Sequence, residues 1–137
     1  MADVVRIAEY FKVQVADKPG QAARLLGVLR EANVYVRAFY AFPRNRRWQF
    51  DFMPEDPAWF KQVASQAKWK VQGPKTCFLV EGEDRAGALA EVTAKLGAAK
   101  INITAINALA AGKGRFGALF WVKPGSVKKA AKVLGVG

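Results

Sequence analysis

Asp17-Lys18-Pro19-Gly20-Gln21 opens an apolar helical pattern in the first half of the chain, and Asp84-Arg85-Ala86-Gly87-Ala88 opens another 67 residues later. The same offset carries Phe11 onto Phe78, Val13 onto Val80, Leu29 onto Leu96, Ala32 onto Ala99 and Pro57 onto Pro124. A register kept across strand, turn and helix positions implies one supersecondary unit present twice.

Around the first turn, Phe11, Val13 and Val15 alternate with Lys12 and Gln14, the period of a half-buried strand. Beyond it, Ala22, Leu25, Leu26, Leu29 and Ala32 recur every three or four residues and form one apolar helical stripe. Val34 to Phe42 reads as a strand. Pro43 to Arg46 reads as a long polar hairpin tip, and Arg47 to Phe52 as a second, alternating strand. Asp56-Pro57 gives an N-cap and a first-turn proline to a helix with Phe60, Val63 and Ala64 on one side, and Trp69-Lys70-Val71 reads as a closing strand. The order strand, helix, strand, strand, helix, strand is the ferredoxin-like βαββαβ unit, so the expected fold is α+β: that unit repeated twice, antiparallel sheets with helices on one face.

The expected domains are 8–72 and 75–137. The second copy ends before its fourth strand. The offset run backward places Val71 on Val4, so residues 3–7 either supply that strand or fray.

Composition narrows the function. Hydrophobic residues form 52% of the chain, enough for a packed core, and no apolar run approaches the roughly 20 residues that span a bilayer, so no membrane association is expected. With no signal-peptide pattern at the start, the expected location is cytoplasmic. The single Cys77 excludes an intramolecular disulfide and reads as a small core residue. The absence of histidine removes the commonest general base and metal ligand. The few acids sit at strand ends and turns, so no catalytic site, cofactor or metal is expected.

The run Asp84 to Val92, followed by Leu96 and by Lys100-Ile101-Asn102-Ile103, resembles the ACT-domain family: an Asp-Arg-Pro-Gly-like turn, a Leu second after the Gly, and an apolar-Asn-apolar entry to the next strand. Copy one has the closer turn, but Tyr35 stands where copy two has Asn102, and Ala22 where it has Leu89. The chain is similar to stand-alone tandem ACT-domain proteins of bacterial type. That resemblance implies a non-catalytic regulatory protein that binds an amino acid at the interface between paired ACT units and regulates a protein partner in trans, while the abundant aromatics on the strands predict a further buried sheet face and with it a homodimer or higher. The ligand-binding residues carried over are Lys18, Pro19, Gly20 and Gln21, and Arg85, Ala86, Gly87, Ala88, Leu89 and Asn102.

Physical chemistry makes such a site reasonable. A helix's first turn presents unpaired amides that suit an α-carboxylate, and Asn102 offers both a donor and an acceptor. Without a ligand, Gly20 and Gly87 would serve backbone conformation and Asn102 a turn contact. Tyr35 is expected to crowd the site in copy one. Asp17 and Asp84 are expected to cap the helices.

The net charge of +11 also invites a polyanion, and the alternative function is a nucleic-acid-binding ferredoxin-like module. Lys113 to Phe120 echoes an RNA-binding strand, but Arg115 intervenes between Gly114 and Phe116, and Ala118 stands where a stacking aromatic belongs. The basic residues are dispersed, which makes nucleic acid the weaker reading.

Overall fold

The computed structural model describes residues 3–136. Six strands and four α-helices alternate along them: β1 (Val4–Ala16), α1 (Gln21–Glu31), β2 (Val36–Arg44), β3 (Arg47–Pro54), α2 (Pro57–Gln66), β4 (Val71–Glu83), α3 (Ala90–Ala98), β5 (Ile103–Gly112), β6 (Arg115–Val122) and α4 (Val127–Leu134). The protein is α+β, and the pairs β1–β3, β2–β3, β4–β6 and β5–β6 are antiparallel.

The chain forms two compact units. The N-terminal unit is Glu9–Lys75; the C-terminal unit joins the segment up to Ala8 to the segment from Thr76 onward. Gln72-Gly73-Pro74-Lys75, where the two expected domains meet, forms no loop between them. It lies in the single strand β4, which starts at Val71 and leaves Trp69 and Lys70 of the expected closing strand outside it, and β1 likewise runs unbroken from Val4. Each of these long strands therefore contributes to both units: β1 gives its residues before Glu9 to the C-terminal unit and the rest to the N-terminal one, and β4 gives its residues up to Lys75 to the N-terminal unit and the rest to the C-terminal one.

In the N-terminal unit the strand order is β2-β3-β1-β4. Its core face carries Phe11, Val13 and Val15 of β1 and Phe50 and Phe52 of β3, covered by Leu25 and Leu29 of α1 and Phe60, Val63 and Ala64 of α2. Phe11 stacks on Phe60 with centroids 5.1 Å apart. The α1 stripe is rotated from its expected position: Gln21 is buried and Ala22 exposed. Asp56 does cap α2, accepting from the Trp59 amide at 3.1 Å, and the Trp59 indole N–H donates to the Ala32 carbonyl at the end of α1. The expected long hairpin tip contracts to two residues. Asn45 and Arg46 both have positive φ, the type I′ geometry that matches strand twist, and Pro43 and Arg44 remain in β2.

In the C-terminal unit the order is β1-β4-β6-β5. Phe78 and Val80 of β4 and Phe116, Ala118, Phe120 and Val122 of β6 form the core face, under Val92 and Leu96 of α3 and Ala130 and Ala131 of α4. Val5, at the N-terminal end of β1, packs against this core. Arg6 pairs with Glu81 at 3.1 Å. A unit assembled from 76–136 alone would lack that edge strand, and the segment of β1 before Glu9 takes its place.

Candidate functional site

The candidate residues fall into two groups, one in each unit. In the N-terminal unit, Lys18, Pro19 and Gly20 form the exposed turn between β1 and α1. Gly20 is the N-cap of α1 at φ +91°, a left-handed conformation that favours glycine, and a side chain built there would meet open space. Backbone conformation, not packing, is therefore what demands glycine, and the turn stays uncovered. Gln21, the first helical residue, is buried and accepts from the Arg24 Nε–H at 2.8 Å. The first turn of α1 holds no acidic side chain, so its dipole is left uncompensated from within. Tyr35 is 65% exposed, one residue before β2.

In the C-terminal unit, Arg85, Ala86 and Gly87 are exposed, whereas Ala88 and Leu89 pack partly into the core and anchor the turn. Gly87 has φ +62°, and a side chain there would meet only the Ala90 methyl, at 3.8 Å. Its carbonyl accepts from the Ala90 amide at 2.9 Å, and α3 starts only at Ala90, with Leu89 at its N-cap. The two turns are therefore unequal: Gly20 abuts its helix, while Gly87 stands three residues ahead. Glu91 already places a carboxylate in the first turn of α3. Asn102 is exposed one residue before β5. Neither Asp17 nor Asp84 caps its helix. Gly20 and Leu89 occupy the N-cap positions, and the intervening turn carries both aspartates too far forward.

Arg85 is the most heavily bonded of the candidates. Its Nη1 donates to Asp3 Oδ1 at 3.0 Å and to the Glu83 carbonyl at 2.8 Å. Its Nη2 donates to Asp3 Oδ2 at 3.0 Å and to the Ala88 carbonyl at 3.2 Å. The guanidinium also lies 6.0 Å from the centroid of the Phe116 ring. The hydrogen bonds from Arg85, first among the causes, hold the Asp3 carboxyl below the usual carboxylate range, and Asp3 in turn raises Arg85.

A second polar cluster was not foreseen. Asp51 of β3 is 5% exposed, faces Lys12 across the β1–β3 ladder, and accepts from Gln49 Nε2 at 2.9 Å. Burial raises its pKa above the usual range, opposed by Gln49, Lys12, Lys75 and Arg44, while burial and the neighbouring Lys75 lower that of Lys12. The alternation Trp48 to Phe52 marks Gln49 and Asp51 as one face of a strand, but not as a buried one. A shallow groove between α1 and α2, lined by Ala23, Gly27, Val28, Val63 and Ala67 among others, includes none of the candidate residues. Among the described residues, no helix is long and apolar enough to cross a membrane.

The turn and the elements around it coincide with a known family. The family model of the ACT domain matches residues 78–135. The match covers β4 from Phe78 through α4, so the Arg85–Leu89 turn and Asn102 lie inside the matched span and Lys18–Gln21 outside it. No curated protein matches the chain in sequence. Among solved structures, protein BT0572 from Bacteroides thetaiotaomicron superposes with a TM-score of 0.82 at 17% identity, over 96% of this chain and 88% of that one. The regulatory subunit of aspartate kinase from Thermus thermophilus, in its ligand-free form, gives 0.64 at 15% identity, over 98% and 96%. The aspartokinase alpha and beta subunits give 0.64 at 21% identity, over 98% and 95%. At these identities the likeness is one of fold.

Proposed function

We propose that this chain is a non-catalytic regulatory protein of the cytoplasm, a tandem ferredoxin-like repeat with an ACT-like unit in each half, that binds an amino acid or similar small metabolite at its Asp-x-x-Gly turns. The observation that carries this reading is the exposed Arg85–Leu89 turn inside the ACT domain, with open space beside Gly87 and core-anchored Ala88 and Leu89 behind it. The likeness of fold to a regulatory subunit of aspartate kinase supports a signalling role towards a protein partner. A ligand regulates only by distinguishing two states of the protein, so the relevant partner is one that reads such a change.

Thermal melting against each of the twenty amino acids tests the reading. At a hundredfold excess over its Kd, a bound ligand stabilises by about 2.7 kcal/mol, a rise of several degrees for a chain of this size. One amino acid is expected to give that rise, and Gly87→Val to abolish it. Silence from all twenty, together with steeply salt-dependent binding of RNA or DNA, would point to the nucleic-acid alternative instead.

The proposal includes a homodimer. β5 has only β6 as a strand neighbour among the described residues, carries no charge from Ile103 to Gly112, and exposes Ile106 and Leu109, the latter by 73%. Natural sheet edges are usually blunted by charge or proline, as β2 is by Arg37, Pro43 and Arg44. On a chain of net charge +11, the uncharged β5 is where two copies approach at the least electrostatic cost. Leu109→Lys should convert the sedimenting species from dimer to monomer at micromolar concentration. A native chain that sediments as a monomer at that concentration counts against the dimer.

A further inference from the structure

A guanidinium has five N–H donors, of which four are on the terminal nitrogens. At Arg85 all four are engaged: two hold the Asp3 carboxylate side-on and two hold the carbonyls of Glu83 and Ala88. The two carbonyl bonds fix the fork in the turn, and the Phe116 ring lies beside it. The remaining pair of parallel N–H groups is the geometry that takes a carboxylate in bidentate fashion.

The place where the carboxylate rests is also shaped for it. A methyl group on Gly82 would collide with Asp3 Oδ1 and would stand only 3.0 Å from the Phe116 ring. Glycine in a strand interior weakens a strand and marks a close approach. Here the approaching group is the Asp3 carboxylate, whose side chain is only 8% exposed, against 43% for Arg85. The receptor thus consists of the Arg85 fork, the bare backbone of Gly82 and the edge of Phe116, all in the C-terminal unit.

We infer that Arg85, Gly82 and Phe116 form a carboxylate-binding site that the chain fills with its own Asp3, so that an external carboxylate and the docked N-terminal end of β1 exclude each other there. The inference rests on the ligand reading of the Arg85–Leu89 turn and gives it a mechanism. A ligand whose carboxylate takes the Arg85 fork must displace Asp3, because no second pair of parallel terminal N–H groups is left to it. Displacing Asp3 frees the strand end that carries Val5 and Arg6, which pack against the same unit. Ligand binding is thereby linked to release of the start of β1, and a partner that reads the freed strand or the uncovered edge of β4 would respond to the ligand. Asp3, held beside its receptor by the docking of Val5 and Arg6 on the same unit, acts as a competitor at high effective concentration. External affinity is reduced by the fraction of molecules in which the latch is open.

Amide-resolved NMR on the full chain tests this with potassium acetate as the probe, against potassium chloride at equal ionic strength. In Asp3→Ala and in the near-isosteric Asp3→Asn, acetate should shift the Arg85–Leu89 amides saturably. In the native chain the same shifts should need at least about tenfold more acetate and should be accompanied by faster hydrogen exchange at Val4–Ala8. Identical acetate curves in the native chain and both variants would overturn the inference, as would native saturation with the exchange of Val4–Ala8 unchanged. The amino-acid reading fails separately. If acetate behaves as expected while none of the twenty amino acids binds either variant, the carboxylate exchange stands and the amino-acid ligand falls.

Discussion

Deleting Met1–Ile7 is expected to destabilise the protein by several kcal/mol and to make it aggregate on concentration. Val5 leaves a core that also contains Phe78, Phe120 and Leu96, a loss of about 1–2 kcal/mol for a partly buried valine. The Arg6–Glu81 and Asp3–Arg85 pairs are lost as well and add little, since both arginines are substantially exposed. Each ladder hydrogen bond lost from the remaining part of β4 adds about 1 kcal/mol. Against a typical stability of about 5–15 kcal/mol, this total is a large fraction. The newly bare edge of β4, Thr76–Glu83, would template association. Urea unfolding, with hydrogen exchange along β4, measures the effect. A truncated chain that melts and dissolves like the native one would show that the first residues fray and that 76–136 is complete alone.

What could be read from the residues beforehand depended on whether a signal was local. The alternation of Phe11, Val13 and Val15, the pair Asp56-Pro57 and the α2 stripe of Phe60, Val63 and Ala64 are local, and the structure shows strand, cap and helix there. Locality also misleads. Gly73-Pro74 looks like a break between domains, yet β4 passes straight through it. Asp17 and Asp84 have the residue type of a cap but not the position, because the turn that follows each of them decides where the helix can start. Asn45-Arg46 shows that two positive-φ residues suffice where a longer loop was foreseen. The Arg85 receptor was half legible. Its turn is a motif, but Asp3 lies 82 residues away, and no pattern in the chain couples Gly82 to a carboxylate that far off. The burial of Asp51 was not legible at all, since alternation assigns a residue to a face without saying what covers that face.

The second large effect is expected in the N-terminal unit: Phe52→Ala should cost about 3–5 kcal/mol, the range for emptying a buried aromatic site. Phe52 is fully buried, opposite Phe11 in the β1–β3 ladder, and its ring meets Phe50 at 5.7 Å, Phe60 at 5.6 Å and Trp69 at 6.3 Å. Those rings come from a strand, a helix and the segment after that helix, so no single element can move to fill the gap without breaking its own packing. Aromatic contacts beyond simple burial add about 0.5–1.5 kcal/mol per pair, which places the cost towards the upper end of the range. Phe39 is the control. Its ring is 5.9 Å from that of Phe52, but it is 42% exposed, and Phe39→Ala should cost no more than about 1–2 kcal/mol. In urea, Phe52→Ala should lower the midpoint of unfolding with little change in slope, since the surface exposed on unfolding is nearly the same. Equal midpoints for Phe52→Ala and Phe39→Ala would mean that the aromatic cluster relaxes around the cavity. The N-terminal unit would then owe its stability to the helix contacts of Leu25, Leu29 and Val63 more than to its stacked rings.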